Sequence, residues 1–420
     1  MTPKKEKKMK KLLVVLVVMV LISGFVFATG SKEASAKSDV VVSMWTGIPR
    51  EHLAKVQDTF PGSSNIIVDE VGYGSLKQKQ LLSFQSAKGT SGNLDVVFVN
   101  GPWMSEFVNA GYLMSLDELA AAAGVDLDAY DSALMSNLTF NGKTYGIPTF
   151  LQCIVCAYDS NYFKENNIKV PTNYDELLAL AKQLKAKGTG IAMPASQANG
   201  SYTTWSQLLY SADGYIVQDG KLDLTSDTVV ASLERYKALT DNSCDGALNW
   251  AHEGVIKALQ SKVAPLGLSM SGNNSYLHDP SASLIADSVR YFPLYGYGDT
   301  AAANQTYWVW AIPANCSDPK AAFEFIAWVT SYDYEKKATL DSYSISGLTA
   351  LAEDKEVVSK VPFAGVVMEA FSNGKPDPIN PNFDSLKSKM NALLSGVAAS
   401  SKPNFKALLS ELQSEYGAKW

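Results

Sequence analysis

The sequence predicts an α/β protein in two lobes, each a mostly parallel sheet flanked by helices. Three observations carry this. β-Branched runs at 40–45, 65–71 and 94–100 alternate with helical stretches at 49–60 and 76–87, the pattern of an open parallel sheet with helices on its faces. In mid-chain, residues 139–163 hold a turn signal at Asn141-Gly142, punctuation at Gly146-Ile147-Pro148, and an apolar run at 150–158. That run is too short for a long helix, and Ile154 and Val155 favour a strand. A further α/β set begins just after it, so the stretch marks where the chain leaves one lobe and enters the other.

Taken from the start, residues 1–11 are rich in lysine and 12–22 are unbroken apolar. Ser23-Gly24 interrupts the run, and Val26-Phe27-Ala28 offers small residues for cleavage, with Ala34-Ser35-Ala36 a second candidate. Charged start, apolar middle and small-residue exit make a signal peptide over 1–28, cleaved as late as 36. The alternative is an uncleaved anchor over 12–28, at the short end of the spanning range. No Cys follows the run to accept lipid. Residues 32–38 read as a polar linker.

In the first lobe, residues 103–123 supply further helix. Ligands of open α/β sheets sit beyond the carboxyl ends of the strands, here Trp45-Thr46-Gly47, Gly72-Tyr73-Gly74 and Asn100-Gly101-Pro102-Trp103. In the second lobe, Thr172-x-x-Asp175 reads as a capping box. Leu177, Leu180, Ala181 and Leu184 follow helical spacing up to Gly188. A short strand at 191–194 leads to a polar loop at 196–205. Helices follow at 205–212 and 228–239, then an apolar strand at 263–270 that ends in Ser271-Gly272-Asn273-Asn274. Asp318-Pro319 opens a helix whose apolar stripe is Ala322, Phe323, Ile326 and Val329.

Bulk properties limit the function. The chain of 420 residues has a formal charge of −6, and without residues 1–28 it keeps 30 basic against 41 acidic residues, or −11. Such a body lacks the basic surface that phosphate backbones require. Cys153 and Cys156 are three apart in a predicted strand and so face opposite sides. With no second Cys pair or His beside them, they read as buried apolar residues and no metal is expected. Cys244 and Cys316 are permitted a disulfide by export, with nothing in the sequence to fix the pairing. His52, His252 and His278 are scattered, and neither a dinucleotide nor a P-loop fingerprint is complete, so no cofactor is expected. A carboxylate pair for glycoside hydrolysis stays open, because the two acids can come from anywhere in a fold.

The most chemically suggestive residues are indoles near side-chain amides. Sugar rings have apolar faces and hydroxyl edges, so their sites combine flat aromatic platforms with hydrogen-bonding groups. Trp45, Trp103, Trp205, Trp250 and Trp308 are candidates for the platform, each with plain core burial as its alternative. Trp308 and Trp310 share one strand face, so at most one of the two reaches a ligand. Asn100, Gln152, Asn273 and Asn274 are candidate partners, the last two with turn chemistry as alternative, and Tyr73 can stack or donate.

The mid-chain motifs also resemble a known family. Gly142-Lys143-Thr144-Tyr145-Gly146-Ile147-Pro148, Tyr158-Asp159, Phe163-Lys164-Glu165, and Pro171-Thr172 with Glu176-Leu177 are similar, in this order, to the crossover of extracellular solute-binding proteins of ABC importers, in the large sugar-binding, maltose-binding-protein-like group. The resemblance implies a two-lobe periplasmic-binding-protein fold, type II-like. The first lobe would be 37–150 and 296–333, with 306–312 as its returning strand, and the second 151–289 and 334–420. Hinges would lie near 148–153, 290–296 and 331–335. It implies a monomeric, periplasmic, non-catalytic protein that captures a carbohydrate by hinge closure and delivers it to permease subunits. Ser346 joins the site by resemblance alone. A secreted carbohydrate-active enzyme, or a binder of a non-sugar solute, are the readings it competes with.

Overall fold

The computed structural model describes residues 38–46, 59–90, 93–198 and 200–420. The leader, most of the linker and nearly all of the helix expected at 49–60 lie outside them. Among the described residues no helix is long and apolar enough to cross a membrane.

The first sheet begins with β1 (Asp39–Trp45), which pairs in parallel with both β2 (Asn65–Val71) and β3 (Val96–Asn100). Every residue of β3 is buried, which is why it reads as a continuous apolar run rather than an alternating one. Helix α1 (Tyr73–Phe84) starts two residues after β2 and ties itself to β3 through the Gln80 amide, which donates to the Phe98 carbonyl at 3.0 Å. The helix expected at 103–123 is broken into a single turn at Gly101–Trp103 and short helices at Met104–Asn109 and Asp117–Ala123. Gly111, at φ +72°, turns the chain between them, a conformation that side-chain-bearing residues avoid.

Strands β4 (Ile147–Gln152) and β5 (Ile154–Asp159) are separated by Cys153 alone, yet they lie in different sheets. β5 is the centre of a three-stranded sheet between β6 (Leu266–Met270) and β7 (Val289–Pro293). β4 pairs instead with β8 (Asn304–Ala311), which lies against β3 on its other side. Phe150 sits at φ +49°, rare for a bulky residue, opposite a register shift between Thr306 and Trp308 of β8. The kink lets one extended segment serve two sheets. Cys153 packs in the first core and Cys156 in the second, and burial pushes both thiols up. Cys244 and Cys316 are free thiols in separate clusters.

Both pairings of β5 are antiparallel, whereas the alternation of strands and helices suggested a mostly parallel second sheet. Alternation does not fix direction by itself, because a connecting helix can return the chain to either end of a sheet. Parallel pairing appears as bridges from Ala192 to Gly267 and from Ile191 to Ser243.

Helix α2 (Tyr174–Ala186) is capped one residue later than the sequence suggested. Asn173 accepts from the Glu176 N–H at 2.9 Å, while the Glu176 carboxylate accepts from the N–H and hydroxyl of Thr172. This is a reciprocal cap built on Asn and Glu. Helix α3 (Ser201–Tyr210) takes up half of what reads as a polar loop, and all its residues are buried. Two of its hydroxyls are matched inside, Ser201 donating to the Ser196 carbonyl and Ser206 to that of Thr203, so burial there is not limited to apolar residues. Helices α4 (Asp227–Thr240), α5 (His252–Gln260), α6 (Pro319–Val329) and α7 (Tyr332–Ser342) follow.

Two large cores result. The first gathers Val42, Phe98, Trp310 and Phe325; the second gathers Ile154, Leu177, Trp205, Leu233 and Leu268. A smaller cluster with Val255, Leu259 and Leu277 covers the other face of the second sheet. The C-terminal part departs from expectation. Leu351, Val357, Phe363 and the apolar face of α8 (Ala364–Ser372) pack into the first core, not the second as assigned for 334–420. The chain crosses after α8, through the short strand β9 (Lys375–Pro376) beside the start of β8. Only α9 (Phe383–Ala399) and α10 (Phe405–Tyr416) join the second core. The third crossing is thus at 373–382 rather than near 331–335.

Candidate functional site

A cleft of about 1180 Å³, its open mouth included, is lined by residues packed on both cores. From the first core's side it is lined by Trp45, Tyr73, Asn100, Pro102, Thr306 and Trp308. These sit at the carboxyl ends of β1 and β3, at the start of α1, and on β8 facing them. Thr203, His252, Glu253, Asn273, Tyr276 and Lys387 line it from the other side. Gln152 and Asp377, each on a crossing, close its base.

The aromatic wall has two storeys. Trp45 stacks on Trp308 with centroids 5.3 Å apart, and Trp308 lies on Phe98 at 4.9 Å. Tyr73 stacks on Trp103 at 5.9 Å. Trp45 is half-buried and Tyr73 exposed, while Trp103 and Trp308 are buried beneath them. The surface a ligand meets is therefore the indole of Trp45 and the ring of Tyr73, fixed by a rigid under-layer. Trp310, two residues along β8, belongs wholly to the core.

The opposite wall is polar, and part of it is internally matched. Lys387 donates to Asp377 at 2.7 Å, and the other Asp377 oxygen accepts from the Asn304 amide at 2.6 Å. Burial pulls the Lys387 pKa down, but the charge and hydrogen bond of Asp377 together with Tyr73 and Asp384 outweigh it, so the net shift is upward. His252 is buried, and burial pushes its pKa down to about 4, with Glu253 opposing and Lys387 adding to the fall. At neutral pH the ring is uncharged. Gly272 lets this wall approach the crossing, since a Cβ there would stand 2.2 Å from the Gln152 amide nitrogen. At the cleft's side, Lys77 of α1 pairs with Glu106 at 2.8 Å and with Asp384 of α9 at 2.5 Å, tying the two halves together.

Of the residues singled out from sequence, Trp45, Tyr73, Asn100, Gln152, Asn273 and Trp308 come together in this cleft. Five do not line it, Trp250 among them, which packs against the small cluster of Val255 and Leu259. Trp205 is fully buried in the second core, its indole N–H donating to Ser232 at 2.9 Å. Trp103 lies under Tyr73. Asn274 turns inward, its carbonyl oxygen accepting from Ser269 at 2.8 Å. Ser346 is buried beside the first crossing, where its hydroxyl accepts from the Leu348 N–H and it bonds the Glu335 carboxyl. Thr203, His252, Asp377 and Lys387 were missed. Thr203 is hidden in a stretch that reads as loop, and the others lie far apart in sequence with no motif around them.

Glu335 provides a test of how dry the hinge region is. Its carboxyl is buried, accepts from Thr149 at 2.6 Å, and is pushed by burial up to about 7 despite the lowering effect of Thr149 and Ser346. A carboxyl raised above its unfolded value of about 4.3 stabilises most at low pH, and loses that contribution, roughly 3 kcal/mol, as pH rises towards 7. Glu335→Gln should therefore melt higher relative to wild type as pH climbs from 5 to 8. A melting difference independent of pH would mean that the carboxyl is not buried in its neutral form.

Comparison with known proteins agrees with this architecture. A probable ABC transporter-binding protein of Deinococcus radiodurans is 21% identical over 369 residues, 81% of this chain and 84% of its own. Among solved structures, maltose-bound MalE3 of T. maritima superposes with a TM-score of 0.80 at 19% identity, over 91% of this chain and all of that one. A ribitol-bound ABC transporter solute-binding protein from Agrobacterium radiobacter K84 gives 0.77 at 23% identity, over 91% and 99%. At such identities the structures speak for the fold. The family model of bacterial extracellular solute-binding proteins matches residues 53–336, more than half of the sequence. The chain belongs to the bacterial extracellular solute-binding proteins.

Proposed function

We propose that this chain is the exported binding component of an ABC importer and that it captures a carbohydrate or polyol in the interlobe cleft. The observation that carries the reading is the pairing of an aromatic wall, Trp45 and Tyr73, with a wall of hydroxyl, amide, imidazole and ammonium groups. A sugar presents an apolar ring face to the first and hydroxyl edges to the second. The names of its relatives and neighbours, which bind maltose and ribitol, point the same way. The lobes are residues 39–152 with 304–372, and 154–293 with 383–420, hinged at Cys153, at 294–303 and at 373–382. Closure follows because a ligand touching both walls stabilises the closed form over the open one, and only that difference shifts the population. The closed lobes are then the surface that permease subunits meet, with the chain acting as a monomer.

Asp377, one of two carboxylates lining the cleft with Glu253, is held in an ion pair by Lys387 and bonded by Asn304. An acid fixed in that way is badly placed to give up or take a proton from a glycosidic bond, which favours capture over hydrolysis. Calorimetric titration with mono- and oligosaccharides and polyols, maltose and ribitol among them, and with spermidine and citrate as non-sugars, tests the reading. Micromolar binding of a sugar or polyol, about 8 kcal/mol, with the compound recovered intact, is expected. Binding confined to spermidine or citrate, or a sugar recovered as fragments, contradicts it.

A further inference from the structure

We infer that His252 is a ligand-contacting, specificity-determining residue, an uncharged hydrogen-bond donor that presents its Nε2–H to an oxygen of the bound ligand. The inference rests on the carbohydrate reading of the cleft. His252 begins α5 and lines the cleft with only 6% of its surface exposed. Its Nδ1 is buried and has no hydrogen-bond partner among the described residues. A buried N–H without an acceptor is worse tolerated than a buried lone pair, so the proton belongs on the other nitrogen. Nε2 is then the polar atom of the ring that the cleft can reach.

The ring is held in place rather than free to turn. Gly200, at φ +98°, lets the backbone before α3 come up against it, and a Cβ there would lie 2.9 Å from the His252 Cε1. Other polar groups of the same wall are already engaged, with Lys387 on Asp377 and Asp377 on Asn304. Among the described residues His252 makes no such internal bond, and it feels the charges of the Glu253 carboxylate and the Lys387 ammonium. An orphaned polar ring in a fixed orientation at the edge of a cleft is a group awaiting a partner. Since it donates, it selects an ether or hydroxyl oxygen at that point of the ligand and rejects a deoxy position.

The test combines imidazole ¹⁵N NMR of the full chain with calorimetry. The chain has 3 histidines, so the His252 signals are assigned by their loss in His252→Gln. The probe is whichever member of the sugar and polyol panel binds wild type. The proposal expects the Nε2–H tautomer at neutral pH, and a shift of Nε2 and its proton at saturation with little movement of Nδ1. His252→Ala should lose at least tenfold in affinity, and His252→Gln, which keeps an amide donor, clearly less. An Nδ1–H ring, or an Nε2 signal that stays put at saturation, overturns the proposal whatever the variants do. The NMR arm uses wild type, so it stands even if His252→Ala fails to fold; equal affinity in a folded His252→Ala also overturns the contact while leaving sugar capture intact. If no sugar or polyol binds wild type, the functional reading itself falls and takes this with it.

Discussion

Replacing Trp205 by alanine should destabilise the protein by about 4 kcal/mol. The indole is fully buried in the second core, its N–H is bonded to Ser232, and Tyr202 packs edge-on against it at 5.6 Å. Its removal leaves a large cavity and takes the donor from Ser232, whose hydroxyl keeps its bond to the Val229 carbonyl. Thermal unfolding monitored by circular dichroism checks this. A melting point within a degree or two of wild type would place Trp205 at the surface, against the packing described. Sugar affinity in the fraction that stays folded should be close to normal, because the residue does not line the cleft.

Trp45→Ala should do the reverse. Its indole is half-buried at the end of β1, resting on Trp308 and tilted against Phe150 at 6.3 Å. As the exposed upper storey of the aromatic wall it supplies the platform for a ring face. Truncation of a central aromatic contact costs ~2 kcal/mol of binding, about 30-fold in affinity. Calorimetry with the sugar that binds wild type measures it, and a change of less than threefold would remove Trp45 from the site. Stability should fall much less than in Trp205→Ala. The two variants together separate two tryptophans that sequence alone treats alike.

That pair shows where the sequence was readable and where it was not. β3 reads as buried because a strand covered on both faces has no polar positions, and Trp45 and Asn100 fall in the cleft because strand ends in such sheets converge there. The mid-chain segment was legible through Gly146, Pro148 and the short apolar run. Trp205 misled because the polar residues before it, Ser201, Thr203 and Thr204, look like loop, yet they are buried. A polar residue that bonds within the core carries no mark of it in one sequence. The third crossing was misplaced for a similar reason: the helices of 349–372 and 383–416 are equally amphipathic, and nothing local says which core each covers. Lys387 and Asp377 become a pair only after that crossing is drawn correctly. The opposite directions of the strands beside β5 also lie beyond a pattern of alternating elements, since period and composition are indifferent to polarity.

The central claim is that two lobes close on a sugar held between an aromatic and a polar wall. Small-angle X-ray scattering of the protein, alone and saturated with the sugar or polyol that calorimetry identifies, tests it most directly. The account predicts a smaller radius of gyration with ligand, and loss of that contraction in Trp45→Ala at a ligand concentration that saturates wild type but not the variant. Identical scattering with and without a demonstrably bound ligand would contradict it.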